Sequence, residues 1–270
     1  MRISLLQLAA QKDVAENLTN ARAAIDEASA EGAEMVVLPE HFALRETDKE
    51  RRRAEAEAIP GGRILSMLQE AAQKNNVWVH GGSFAEKAED GFFNTTAVIN
   101  PQGELVTTYR KIHLFDYVAP DGTVYSESSM NGPGTKVVTY EAGGLTFGCS
   151  VCYDLRFPDL YMAMARAGVD VIMVTACFTF NTTRDHWETL MRARAIDTQC
   201  YMVGVNQFGS FPDGSRPTGG RSMIVDPWGV ATTMAPDQVG SVMGTISTKR
   251  LQDVRARFST AQVCGNFTVD

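Results

Sequence analysis

The apolar run Leu145-Thr-Phe-Gly-Cys149-Ser-Val-Cys152 is followed directly by Tyr-Asp-Leu-Arg-Phe-Pro158-Asp159. Pro158 and Asp159 make a good first turn for a helix, so Cys152 stands at a strand-to-helix bend. A thiol at such a bend is exposed at a sheet edge, and backbone N–H groups point at whatever it attacks. That is the placement of a nucleophile; the bland alternative is a small buried hydrophobe. Cys149-x-x-Cys152 also has the spacing of half a zinc site or a redox pair, yet the chain has no second Cys-x-x-Cys and no close pair of histidines. Zinc takes about four ligands, so metal or dithiol chemistry is not expected.

A cysteine nucleophile needs a proton acceptor, because an unperturbed thiol with a pKa of ~8.5 is only a few per cent ionised near neutrality. Histidines occur at positions 41, 80, 113 and 186, and none is a decisive partner. Attention therefore moves to charged residues at strand ends. Glu40 closes Met35-Val-Val-Leu-Pro-Glu40, where a carboxylate at the edge of a core strand is costly without a partner or a task. Lys111, in Tyr109-Arg-Lys-Ile-His-Leu-Phe-Asp116, is a cation at a second strand end. Taken singly, each also reads as half of a surface salt bridge.

The elements that must position these residues follow from hydrophobic period. Strands are expected at Ile3 to Leu8, Met35 to Leu38, Val77 to Phe84, Leu145 to Cys149 and Val171 to Thr175, and helices at Val14 to Ala30, Ile64 to Lys74, Pro158 to Ala167 and Asp185 to Thr198. The second half thus repeats the order of the first. A turn recurs too, since Ile224-Val-Asp-Pro-Trp-Gly229 echoes Val98-Ile-Asn-Pro-Gln-Gly103, with Pro second and Gly fourth as a type I turn prefers. Alternating elements without a linker favour one α/β domain over 1–257, with two stacked sheets and helices outside. Residues 116–135 read as a long ordered loop, and 258–270 as a tail or an arm reaching a partner subunit.

Composition bounds the function. The 270 residues are 44% hydrophobic and 21% charged, with a net charge of 25 − 32 = −7, which describes a globular protein with a large core. No basic stripe interleaved with aromatics is present, so nucleic acid is not an expected partner. The one basic run, Arg51-Arg52-Arg53, sits between Glu50 and Glu55 and reads as a solvated helix face. The longest apolar stretch, Val171 to Phe178, falls far short of the ~20 residues that span a bilayer. The chain opens on a strand with no signal peptide, and its 5 cysteines are an odd number set among apolar neighbours. A cytoplasmic setting without membrane attachment is the expectation.

Leu-Pro-Glu40, Tyr-Arg-Lys111-Ile-His-Leu-Phe-Asp and Cys152-Tyr-Asp-Leu-Arg-Phe-Pro-Asp, in that order, resemble the nitrilase superfamily of carbon–nitrogen hydrolases. The resemblance continues through His186-Trp-Glu188, Arg192-Ala-Arg-Ala-Ile-Asp-Thr-Gln199 and Gly220-Arg-Ser-Met-Ile-Val-Asp-Pro-Trp-Gly229. It implies a four-layer αββα sandwich, a Glu40, Lys111 and Cys152 triad, a second glutamate at Glu127, and a homodimer or higher oligomer. The dimers of this family bury the helices after the nucleophile, so Tyr161, Met162 and Met164 are expected at a subunit interface.

The resemblance also implies a reaction. Glu40 takes the Cys152 proton, the thiolate attacks an amide carbonyl, and Lys111 with the Tyr153 backbone N–H holds the oxyanion. Ammonia leaves, water hydrolyses the thioester, and no cofactor or metal is called for. Nitrilases carry Cys-Trp-Glu where this chain has Cys152-Tyr153-Asp154, which disfavours nitriles. The motifs are most similar to the omega-amidase and deaminated-glutathione-amidase branch, whose substrates are small carboxylate-bearing amides. Arg156 either reads a substrate carboxylate or pairs with Asp154, Asp159 or another structural acid. Phe178 and Thr182 are expected in the pocket wall, with core packing equally open for Phe178. Cys177 and Cys200 read as core residues.

Overall fold

The computed structural model describes residues 1–119, 122–211 and 214–257. Its centre is two β-sheets packed face to face. One runs Gly240–Thr245, Arg2–Gln7, Met35–Val37, Trp78–His80, Gly91–Ile99 and Phe84–Ala88, with Leu105–Arg110 also paired to Gly91–Ile99. The other runs Ala231–Met234, Met223–Val225, Tyr201–Asn206, Val171–Ala176, Leu145–Val151 and Thr139–Ala142.

Side-chain alternation explains why the sheets stack as they do. Ile3 and Leu5 with Met35 and Val37 face Phe147, Cys149 and Val151 in the core between the sheets. Their neighbours Leu6, Val36 and Leu38 face outward, against Leu18, Ala21, Ile25 and Ala28 of the helix Val14–Ala30 and Ile64, Leu68 and Ala71 of the helix Gly62–Asn75. Asp13 caps the first of these helices, its side chain accepting from Glu16 N at 3.1 Å. The helices Pro158–Arg166 and Glu188–Thr198 belong to the second half. The result is an αββα sandwich.

The two halves share a plan. Each has three parallel neighbouring strands, Arg2–Gln7 with Met35–Val37 and Trp78–His80, and Leu145–Val151 with Val171–Ala176 and Tyr201–Asn206. An antiparallel pair follows in each, joined by the recurring turn, in which Gly103 N reaches Asn100 O at 2.9 Å and Gly229 N reaches Asp226 O at 2.8 Å.

Several expectations change in detail. The run Val77 to Phe84 is two strands, broken at Gly81-Gly82, where Gly82 takes a φ of 54°. The described residues of 116–135 are more regular than a loop, because Asp116–Val118 pairs with Val124–Ser126 and Phe115, Tyr117 and Tyr125 cluster. A π-type turn over Thr183–Trp187 precedes the helix Glu188–Thr198. Tyr161 and Met164 are fully buried within the chain. Tyr161 Oη lies 2.8 Å from Ser150 Oγ and Met164 packs over Gly148, so neither is available to a subunit interface. Residues 258–270, read as a tail, lie outside those described. No helix among the described residues is long and apolar enough to cross a membrane.

Candidate active site

The carboxyl ends of the parallel strands converge on one edge of the sandwich, where open α/β sheets hold their ligands. Glu40 follows Met35–Val37, Cys152 follows Leu145–Val151, and Cys177 follows Val171–Ala176. Lys111 follows the antiparallel strand Leu105–Arg110. All four line one cavity of about 280 Å³, together with Glu127.

Cys152 sits between the strand and a short 3₁₀ turn, Cys152–Arg156, with Pro158 opening the next helix, as the sequence predicts, but it is buried in the cavity lining and not exposed at the sheet edge. Its φ is 51°, a left-handed conformation that a non-glycine residue holds only when its surroundings enforce it. The enforcement comes from Asp154, which is wholly buried. Its carboxylate accepts from Val151 N at 2.9 Å, Tyr109 Oη at 2.7 Å and His113 N at 2.9 Å, and lies 2.8 Å from His113 Nδ1. Asp154 thus ties the bend to the segment carrying Lys111.

Lys111 donates to Glu40 Oε1 at 2.9 Å and to Glu127 Oε2 at 2.8 Å. Asn94 Nδ2 spans the same two acids at 2.9 and 3.0 Å. Glu127 also accepts from Phe115 N at 2.8 Å, so it is a built part of the site and no solvated loop acid. Sheet pairing fixes the lysine backbone, since Lys111 N reaches Asn94 O at 2.9 Å. Glu40 is fixed by Gln207, whose Nε2 donates to its carbonyl at 3.0 Å.

This array sets the protonation states. Burial raises the Glu40 carboxyl, but Lys111, His41 and the Cys152 thiol outweigh it and hold the pKa at about 2. Burial pushes the Cys152 thiol well up, and the Glu40 charge adds to that while Lys111 opposes it. Burial lowers the Lys111 ammonium, but Glu127 and Glu40 more than reverse it. The resting site is therefore a neutral thiol in the same cavity as a carboxylate, with a cation alongside. Such a set can move a proton from sulfur to carboxylate as charge develops next to the lysine.

Three expected substrate side chains, Arg156, Phe178 and Thr182, are not among the cavity-lining residues, and neither is Tyr153, whose expected contact is its backbone N–H and not its ring. Arg156 turns to His186 Nδ1, 3.1 Å away, and to the rings of Tyr153 and Phe178, making no pair with Asp154 or Asp159. The Phe178 ring packs edge-on against Trp187 at 5.0 Å. Thr182 spends its hydroxyl within its own turn, on Thr179. The Tyr153 ring packs on Phe115 and Phe157. Conversely, Cys177 is half-buried and lines the cavity. In the basic run, Arg51 and Arg53 pair with Glu46 and Glu50, whereas Arg52 turns into the cavity. Among the described residues no group of three or more His, Cys, Asp or Glu could hold a metal ion.

Asn94 was not singled out by sequence reasoning, although an Asn inside the β-rich run Phe92-Phe-Asn94-Thr-Thr-Ala-Val-Ile99 is a usable signal. Arg45, His41 and Gln207 carry no comparable one.

A model of the carbon-nitrogen hydrolase family matches residues 2–256. A deaminated glutathione amidase from Synechocystis is 39% identical over 269 residues, spanning 95% of each chain. The omega-amidase NIT2 of Homo sapiens is 34% identical over 254 residues, spanning 94% of this chain and 91% of that one. The crystal structure of Saccharomyces cerevisiae Nit3, from branch 10 of the nitrilase superfamily, superposes with a TM-score of 0.87 at 28% identity, covering 96% and 94% of the two chains. Fold, converging strand ends and matches over nearly the whole length agree: the chain belongs to the carbon-nitrogen hydrolase family.

Proposed function

We propose that this protein is a thiol-dependent amidase that hydrolyses the terminal linear amide of a small carboxylate-bearing molecule to acid and ammonia. The observation that carries the reading is Glu40, Lys111 and Cys152 lining one cavity, with Lys111 donating to Glu40 and held beside it by Glu127.

In this reading Glu40 accepts the thiol proton as sulfur attacks the amide carbonyl carbon. The carbonyl oxygen gains negative charge, which Lys111 and the Tyr153 backbone N–H stabilise; losing one such donor typically costs ~10²–10³ in rate. Protonated Glu40 then gives its proton to the departing nitrogen, the C–N bond breaks, and ammonia leaves a thioester. Glu40, again a carboxylate, takes a proton from water as it attacks the thioester, and the acid and the thiol are restored. Glu127 accepts no proton in these steps and acts by holding Lys111.

A second reading is a longer, peptide-like amide such as deaminated glutathione. It is favoured by the relative named for that activity at 39% identity and by a cavity that runs beyond the reacting residues to Arg45, Phe211 and Arg216.

Ammonia release is measured with 2-oxoglutaramate, 2-oxosuccinamate, deaminated glutathione, an N-carbamoyl amino acid and a simple nitrile, for wild type and Cys152→Ala. The expected result is release from one of the first three, abolished in Cys152→Ala. Release that survives the substitution would sink the mechanism, and carbon dioxide released with ammonia would mark the carbamoyl compound as substrate.

A further inference from the structure

The cavity holds more positive charge than the chemistry at Cys152 uses. Lys111 is committed to Glu40 and Glu127, whereas Arg45, Arg52 and Arg216 also line the cavity. Arg45 is decisive. It is only 1% exposed, and its Nε and Nη1 have no hydrogen-bond partner among the described residues. Its Nη2 makes a long 3.5 Å contact with the Arg216 carbonyl, and its guanidinium lies 4.4 Å from the centre of the Phe211 ring. The adjacent acid, Glu46, is spent elsewhere, accepting from Thr47 N at 2.7 Å and Asp48 N at 3.1 Å and pairing with Arg51 at 3.4 Å.

A buried cation with open donors is costly, and native structures retain such a group where something else repays it. Stacking on Phe211 holds the guanidinium plane without using its donors. Its neighbours are cationic as well. Arg216 lies 4.7 Å from the Tyr125 ring centre, and Arg52 is half-buried with a 3.8 Å contact to the Met130 sulfur. Arg45 and Arg52 act on the Cys177 thiol together with Glu40 and Lys111, so the arginines and the reacting pair share one field. Arg156, on the sequence the natural candidate to read an anion, faces His186 instead.

We propose that Arg45 is a specificity-determining residue, which with Arg52 and Arg216 binds the carboxylate of the substrate remote from the amide being cleaved. The assignment rests on the amidase reading of the same site. Arg45 exchanges its long carbonyl contact and open donors for charge-assisted bonds to the ligand, which are shorter and stronger than neutral ones.

The test compares glutaramate, which has a carboxylate end, with pentanamide, its neutral counterpart of equal chain length, in wild type, Arg45→Met, Arg45→Lys and Arg156→Met. Arg45→Met is expected to lower the ratio of kcat/KM for glutaramate to that for pentanamide by ~10-fold or more, chiefly through KM. Arg45→Lys restores part of the ratio, and Arg156→Met moves it less. A fall that is equal for both amides, or an unmoved ratio, overturns the assignment. Removing an unpaired buried charge does not weaken the fold, so Arg45→Met melts at or above the wild-type temperature. A second arm needs no turnover: glutarate binding to Cys152→Ala is compared by calorimetry with Cys152→Ala/Arg45→Met. Binding that depends on Arg45 while no amide is turned over leaves the anion site standing and removes the amidase reading. Turnover with glutarate binding indifferent to Arg45 does the reverse.

Discussion

Glu127 Oε2 lies 2.8 Å from Lys111 Nζ, on a cation that also donates to Glu40 Oε1 at 2.9 Å. One lysine thus serves two buried acids, and the acid that takes no proton in the proposed reaction keeps the lysine in place for the one that does. Glu127→Gln preserves shape and removes that anchor's charge. Its kcat should fall by ~10- to 100-fold, part of what an oxyanion donor is worth, with the fold retained because Glu40 still pairs Lys111. Steady-state kinetics with a melting curve checks this; an unchanged kcat would leave Glu127 with only a structural part.

The pH profile follows from the same array. The active resting form is Glu40 ionised and Cys152 protonated. Lys111 holds Glu40 down at about 2 against its burial, and burial with the Glu40 charge holds the Cys152 thiol above its usual 9.0. That form persists across the neutral range, so kcat/KM should be flat from roughly pH 5 to 8. A rate rising steadily through the ordinary thiol range near ~8.5 would show that a free thiolate is required instead. The linkage sign agrees: the depressed Glu40 contributes folding stability that is present above its ordinary 4.5 and is lost as pH falls toward about 2.

Backbone packing behind Glu40 gives a separate prediction. A Cβ on Gly82 would stand 2.1 Å from the Pro39 carbonyl oxygen, and Gly82 has a φ of 54°. Gly82→Ala must therefore displace the Pro39–Glu40 segment as well as pay ~1–2 kcal/mol of left-handed strain. Gly144 has a φ of 75° with nothing within 4 Å, so Gly144→Ala carries the strain alone. Both variants should melt lower, but only Gly82→Ala should lose kcat, by up to ~10², as misplacement by an ångström can cost. Equal kcat in the two would show that Glu40 tolerates the shift.

The sequence was most legible where local rules act. Cys152 at its bend, the helix Val14–Ala30 and both Pro/Gly turns follow from cap, period and turn chemistry over a few residues. Glu40 and Lys111 were noticeable as charges at strand ends, but their meeting depended on the ordered motif set. What stayed hidden is long-range. Arg45 and Glu40 follow one strand, yet the Phe211 and Arg216 that frame Arg45 come from far along the chain, and nothing local marks that encounter. Arg52 was misread because a run of three arginines on a helix face looks uniform, although helical geometry turns only one of them inward. Phe178 and Arg156 lie close to the nucleophile in sequence or fold but turn to Trp187 and His186, and proximity along the chain does not determine direction.

Asp154 offers the last test, because it acts on the nucleophile without touching substrate. Its buried carboxylate accepts from Val151 N, Tyr109 Oη and His113 N and lies against the His113 ring. Hydrogen bonds to a charged acceptor contribute ~1.5–3 kcal/mol each. Asp154→Asn keeps the volume but turns an amide N–H₂ toward donors that need an acceptor. A loss of about 3 kcal/mol is expected, which for a chain of this size lowers the melting temperature by ~6–12 °C. Because Val151 N is released, Cys152 also loses the restraint on its φ of 51°, and kcat should fall in protein that is still folded at 25 °C. Tyr109→Phe removes only one of the four contacts and should give a smaller fall in both. A crystal structure of Asp154→Asn with Cys152 still left-handed and kcat intact would show that the bend is held by the strand and helix alone.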